Sequence, residues 1–256
     1  MTRVLTALLL IPFFVYIVLW SPSWAFSVTV AAVAILCFIE YSDLTALHGI
    51  AKPGIFGYAA GLLILFLPSK EGSFFVLVAL LGMSLALRSH ELRDALPFAG
   101  ALLLGVAYVF GSLRCAIELR AINTYWLFFA LSLNWAGDIA ALYVGRLVGR
   151  HKLAPHVSPG KSWEGSIAST VASLIYGAFY FHYLLPSAPM AESLGLTVAA
   201  NVAGQFGDLC ESALKRGAGV KDSGRLLPGH GGWLDRVDSS LFALPVVYFV
   251  VSNFHW

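Results

Sequence analysis

The chain has 256 residues, of which 59% are hydrophobic and 12% charged, and its formal net charge is only +2. Soluble domains carry roughly 25% charged residues, so this composition excludes an ordinary soluble enzyme and reads as a multi-span membrane protein. Three scattered cysteines, Cys37, Cys115 and Cys210, give neither a disulfide framework nor a zinc-ligand spacing.

The first apolar run occupies Val4–Trp20, behind a single basic residue, Arg3. Ser23-Trp24-Ala25 loosely imitates a signal-peptide cleavage site, but the run is longer than the roughly 7 to 15 residues of a signal peptide. It is read as an uncleaved first helix. Further runs follow at about 24–40, 54–68, 73–88, 97–115, 125–145, 165–186, 191–214 and 237–253. The fold expected is an all-α integral membrane protein with about nine transmembrane helices, the third and fourth short enough to tilt or re-enter. Pro53, Pro68, Pro97 and Pro186 fall near helix ends, whereas Pro12 and Pro245 fall inside runs. Residues 1–256 read as a single domain, with 1–120 mainly scaffold and 125–253 carrying the catalytic helices and loops.

Basic residues set the orientation. With the N-terminus in the cytoplasm, 13 of the 16 Lys and Arg residues fall on the cytoplasmic side and only Lys70, Arg114 and Arg120 on the other. The C-terminus then lies on the opposite side. The two informative loops, 146–164 and 215–236, both face the cytoplasm, and the localisation expected is the cell (inner) membrane.

Carboxylates inside apolar runs are costly and mark functional positions. Asp138 lies in "LSLNWAGDIAALYV", and Asp208 and Glu211 in "ANVAGQFGDLCESALKR". Asp208, Glu211, Ser212 and Lys215 are spaced three and four apart, so they share one helix face near its cytoplasmic end. Asp208 lies roughly 10 Å deeper than Lys215 at 1.5 Å rise per residue. Asp235, Asp238 and Ser239 repeat that spacing at the start of the last run. Hard oxygen donors without a Cys/His set suit Mg²⁺, which takes one or two protein carboxylates and leaves positions for phosphates. The bland alternative, a buried ion pair that fixes helix packing, suits Asp138 better than Asp208.

Between the two acidic stripes runs "KRGAGVKDSGRLLPGHGGWLDRVD", Lys215 to Asp238, rich in glycine and basic residues. Glycines let backbone N–H groups approach phosphate oxygens, and Lys and Arg clamp them. The basic loop alone would satisfy the positive-inside rule; acids on both flanks turn the reading to a polyphosphate site. His230 is read as a phosphate contact. In the other loop, Ser158-Pro159-Gly160-Lys161-Ser162 offers hydroxyls and an ammonium before a helix that Ser162 is placed to cap. It lacks the Walker A spacing.

Ser212, Lys215, Arg216, Lys221, Asp222, Pro228, His230, Gly231, Gly232, Asp235, Arg236 and Asp238 together stand in the pattern S-x-x-K-R, four residues, K-D, then P-x-H-G-G-x-x-D-R-x-D. This resembles the signature of the phosphatidate cytidylyltransferases (CDP-diacylglycerol synthases). "HKLAPHVSPGKSWEG", which includes Glu164, and "GDLCES" resemble two further stretches of that family. The motifs cover the last half of the chain. Trp233 replaces an aliphatic residue, Ser162 a threonine, and Leu142 a tyrosine.

The resemblance implies that CTP and phosphatidate give CDP-diacylglycerol and pyrophosphate, with the lipid phosphate attacking the α-phosphorus. It implies Mg²⁺, with a monovalent cation such as K⁺ as companion. The metal carboxylates are then Asp208 and Asp235, supported by Glu211 and Asp238, with Lys215 and Lys221 also assigned to catalysis. Ser158, Lys161, Ser212, Arg216, Arg225, His230 and Arg236 are expected to bind substrate, and Asp138, Asp222 and Glu164 complete the candidates. Partners are CTP, phosphatidate and membrane lipids, without nucleic acid; a homodimer is left open. The rival readings are a CTP-dependent polyprenol or phytol kinase, an ion-coupled transporter using Asp138, Asp208 and Glu211, and a catalytically dead lipid-binding scaffold.

Overall fold

The computed structural model describes residues 12–67, 73–87, 91–227, 229 and 231–254. Residues 4–11 of the first apolar run, Pro228 and the expected phosphate contact His230 lie outside the described residues. Among the described residues the protein is all-α apart from one small hairpin. A helix over 12–19 precedes α1 (Ser23–Leu47), α2 (Gly54–Phe66), α3 (Ser73–Ala86), α4 (Leu92–Ile122), α5 (Thr124–Val148), α6 (Trp163–Leu184), α7 (Met190–Gly217) and α8 (Leu234–Asn253). These segments fall on the nine predicted runs in order. In a lipid environment each backbone polar group must be satisfied within its own segment, which drives apolar runs into helices.

Among the described residues, four helices (α1, α4, α5 and α6) are long and apolar enough to cross a membrane, and α2 and α3 are shorter apolar helices. The chain is an all-α membrane protein. At 1.5 Å per residue, α2 and α3 reach about 20 Å, short of the roughly 30 Å hydrocarbon core. The α4 helix is continuous but irregular: a 3₁₀ turn opens it and a π turn, Val106–Gly111, interrupts it. A Cβ at Gly105 or Gly61 would strike Tyr41 or Phe110 respectively, so both glycines allow close helix packing there. Phe38 and Phe110 lie buried at that crossing, with ring centroids 5.2 Å apart.

Four helices and a hairpin deliver the polar end of the bundle. The C-terminus of α5 leads into a hairpin of β1 (Lys152–Ala154) and β2 (Ser158–Ser162), paired antiparallel with Lys152 opposite Ser162. The N-terminus of α6 follows directly. Ser162 caps it as expected, its Oγ accepting from the Gly165 N–H at 3.1 Å. The α7 helix ends in a left-handed turn at Gly219 (φ +72°), where the Val220 N–H returns to the Lys215 carbonyl at 2.9 Å. That turn starts the glycine-rich loop immediately after Lys215 and Arg216. The loop returns into α8, which packs along α7 and carries Pro245 in its interior.

Candidate functional site

A cavity of about 510 Å³ opens where α5, the hairpin, α6, α7 and α8 meet. Its wall brings together Asp138 and Arg146 from α5, Ser158, Lys161 and Ser162 from β2, Gln205 and Asp208 from α7, and Ser239 from α8. Four predicted site residues, Asp138, Ser158, Lys161 and Asp208, therefore meet in one cavity although 70 residues separate the first from the last. Lys161 Nζ lies 2.6 Å from Asp208 Oδ2, both side chains partly exposed. One turn further on, the Ser212 hydroxyl donates to the other Asp208 oxygen at 3.3 Å, as the i,i+4 spacing predicts.

Beside the cavity lies a buried ion triad. Lys215 contacts Glu211, four residues earlier on α7, and its Nζ lies 2.5 Å from Asp235 Oδ1 on α8. The side chains are 11%, 0% and 7% exposed for Lys215, Glu211 and Asp235, so the charges are shielded from solvent. Asp235 Oδ2 accepts from the backbone N–H groups of Ser223 at 2.9 Å and Gly232 at 2.8 Å. Burial works against ionisation of this carboxyl, but Lys215 and the two N–H groups hold it below its ordinary value. Lys215, expected among the phosphate clamps, commits its ammonium to the two acids.

Asp238 is half-buried near the start of α8, its Oδ1 accepting from the Ser239 N–H at 2.7 Å. Arg216, Lys221, Asp222, Arg225 and Arg236 are exposed. Arg216 Nη1 donates to the Val220 carbonyl at 3.2 Å, which ties it to the α7 turn. Glu164 accepts from His151 Nδ1 at 2.6 Å and from the His151 N–H at 3.2 Å, bracing the base of the hairpin rather than lining the cavity.

The carboxylates form a connected set. Asp138 and Asp208 share the cavity wall, Glu211 and Asp235 share Lys215, and Asp238 follows Asp235 by three residues on α8. These five carboxylates outnumber the three cations of the cavity wall and the triad, Lys161, Lys215 and Arg146. Such an excess of hard oxygen donors fits a divalent cation. Among the described residues no three His, Cys, Asp or Glu side chains converge as a ready-made cage. Mg²⁺ takes only one or two protein carboxylates, and the two on the cavity wall are Asp138 and Asp208.

A family model described as the cytidylyltransferase family matches residues 1–254. The chain belongs to the cytidylyltransferase family. It is 37% identical over 223 residues to the phosphatidate cytidylyltransferase of Staphylococcus saprophyticus, covering 83% of this chain and 85% of that protein. It is 34% identical to the enzyme of that name from Staphylococcus haemolyticus, over 96% of both chains. With the Bacillus subtilis protein of the same name it shares 33% identity over 98% of this chain and 97% of the other. The likeness runs through the N-terminal half of this cytidylyltransferase, where the sequence motifs are silent.

Arg146 and Gln205 also stand on the cavity wall, without a role in the sequence reading of the site. Arg146 was counted only for topology, yet its side chain lines the wall. Gln205 donates to Asn201 Oδ1 at 2.7 Å and accepts from Ser166, and Asn201 donates to Ser169 at 3.1 Å and Ser173 at 2.9 Å. This polar network runs inward from the cavity between α6 and α7. Its sequence signal is the stripe Asn201, Gln205, Asp208 and Ser212, with spacings of four, three and four.

Proposed function

We propose that this chain is a phosphatidate cytidylyltransferase, joining CTP and phosphatidate to give CDP-diacylglycerol and pyrophosphate. The observation that carries the reading is the Asp208–Lys161 pair on the wall of a cavity built by the two motif-bearing segments. The relatives' shared name supports the substrate class. Nine spans with the N-terminus inside are proposed from the basic-residue asymmetry, which sets this site at the cytoplasmic face of the cell membrane. A cytosolic nucleotide and a lipid headgroup both reach such a border. A homodimer belongs to the same proposal without a contact that specifies it.

A phosphate oxygen of the lipid attacks the α-phosphorus of CTP; the bond to the bridging oxygen of the β-phosphate breaks, and that oxygen leaves with pyrophosphate. The phosphate monoester is already largely ionised near neutral pH, its second pKa being about 6, so no strong general base is required. The harder task is bringing several negative charges together. Lys161 and Arg146 line the cavity and would bind phosphate oxygens there, while exposed Arg216, Lys221, Arg225 and Arg236 would collect the anionic substrates at the rim. Ser158 and Ser212 would donate hydroxyls, and Lys215 would keep Asp235 charged and hold both Asp235 and Glu211 in place. Asp208 and Asp235 are the proposed Mg²⁺ carboxylates, with Glu211 and Asp238 in support and Asp138 as a cavity-lining neighbour. Mg²⁺, with or without K⁺, would supply positive charge to the transferring group and the leaving pyrophosphate.

The test is incubation of purified protein in detergent with labelled CTP and phosphatidate, followed by identification of the lipid product. CDP-diacylglycerol with release of pyrophosphate is expected. A phosphorylated lipid with release of CDP would move the reading to a lipid kinase, and no phosphatidate-dependent product would overturn it.

A further inference from the structure

The second long helix, α1, belongs to the stretch whose sequence reads as scaffold, yet it sends a carboxylate into the signature loop. Glu40 is 2% exposed. Its Oε2 accepts from the Ser223 hydroxyl at 2.8 Å and the Leu234 N–H at 2.9 Å, and its Oε1 from the Trp233 N–H at 3.0 Å. Among the described residues no Lys or Arg forms an ion pair with it. Its charge is met instead by the first N–H groups of α8, whose own N-cap residue, Trp233, supplies no side-chain cap. Glu40 therefore caps α8 from another helix.

The same two loop positions are held from the other side by Asp235. Ser223 gives its N–H to Asp235 and its hydroxyl to Glu40; Gly232 gives its N–H to Asp235, and Trp233 and Leu234 give theirs to Glu40. Two carboxylates thus fasten both ends of the segment 223–234. Glycine is required for this approach, because a Cβ at Gly224 or Gly232 would run into the Glu40 carboxylate. The limb so fastened carries exposed Arg225 and follows directly on exposed Lys221.

We propose that Glu40 is a positioning residue for the cytidylyl-transfer reaction: without touching substrate, it fixes the signature loop on α8 and thereby sets Lys221 and Arg225 for the nucleotide phosphates. The proposal rests on the cytidylyltransferase reading for its kinetic consequence, while its structural part stands apart from it. Losing a buried carboxylate that holds three donors releases the loop from α1 without altering a residue in the cavity.

The experiment compares wild type, Glu40→Gln and Glu40→Ala in lipid nanodiscs. KM for CTP and kcat are measured at saturating phosphatidate, beside the rate of tryptic cleavage after Lys221 and Arg225, which follows loop opening. Expected for Glu40→Ala is a KM for CTP raised about tenfold or more together with faster cleavage, and Glu40→Gln, which keeps one acceptor oxygen, should fall between. Ser223→Ala should raise KM less when added to Glu40→Ala than when made alone, since both remove the same bond. An unmoved KM overturns the proposal, including the case in which kcat alone falls, since that reports only a smaller active fraction. If wild type makes no CDP-diacylglycerol, the activity reading fails and the cleavage rates decide: faster cleavage in Glu40→Ala supports the fastening role, and equal rates overturn it.

Discussion

Lys161 Nζ and Asp208 Oδ2 lie 2.6 Å apart, linking the second strand of the hairpin to the first residue of the acidic stripe on α7. Both are partly exposed on the cavity wall, so the pair is open to exchange partners when a polyphosphate and its cation enter. Asp208→Asn keeps the shape and the Ser212 contact but removes the charge. Turnover should fall by about 10²–10³-fold while the protein remains monodisperse and helical. Near-normal turnover would remove Asp208 from the metal assignment.

The proposed Mg²⁺ requirement rests on Asp138 and Asp208 at the cavity wall and on the neighbouring Asp235 and Glu211. Excess chelator should abolish turnover, and added Mg²⁺ should restore it. Ca²⁺, larger and less strict in geometry, should restore it poorly. Full activity in chelator would rule out a Mg²⁺ mechanism on these residues.

The Lys215 triad makes a stability prediction with a pH sign. Lys215→Met leaves Glu211 and Asp235 buried without their cation and should cost about 3–5 kcal/mol. Arg225→Ala, on the exposed rim, should stay within about 0.5 kcal/mol. The folded Asp235 carboxyl titrates below its ordinary value, so its stabilising contribution is complete above the unfolded pKa of about 3.9 and is lost as pH falls through the lower folded value. The difference in thermal midpoint between wild type and Asp235→Asn should hold constant from pH 7 to about 5 and close only below about pH 3.9. Closure already at pH 5 to 6 would mean that Asp235 is not held as an ion pair.

The parts of the site that a local period controls were legible in the sequence. The Ser212–Asp208 and Lys215–Glu211 contacts are i,i+4 neighbours, and the Ser162 cap lies three residues before its donor. Apolar runs became helices because lipid leaves the backbone no other arrangement in a single segment. Contacts between elements were not legible. Nothing in the spacing pairs Asp208 with Lys161 or Asp235 with Lys215, because those pairings depend on how α7 meets the hairpin and α8. The hairpin itself, with strands of three and five residues, is too short to show an alternating pattern. Glu40 is 183 residues from Ser223, and an acid at the end of an apolar run reads as one that simply reaches the interface.

Gly232 tests the close packing on which the loop depends. It stands in the signature beside Gly231, but only the structure gives the reason: its missing side chain leaves the space in which Ser223 Oγ and the Glu40 carboxylate meet. A Cβ there would strike both, and Glu40 is buried and bonded on three sides, so neither neighbour can give way cheaply. Gly232→Ala should therefore lower the thermal midpoint and reduce turnover, with a loss of about 1–3 kcal/mol expected for overpacking. Gly195→Ala is the control: it lies in α7, a Cβ meets nothing within 4 Å, and alanine favours helix by up to about 1 kcal/mol. It should match or exceed wild type in thermal midpoint with turnover unchanged. If Gly232→Ala behaves like Gly195→Ala, the loop is not held against Glu40 as tightly as these contacts require.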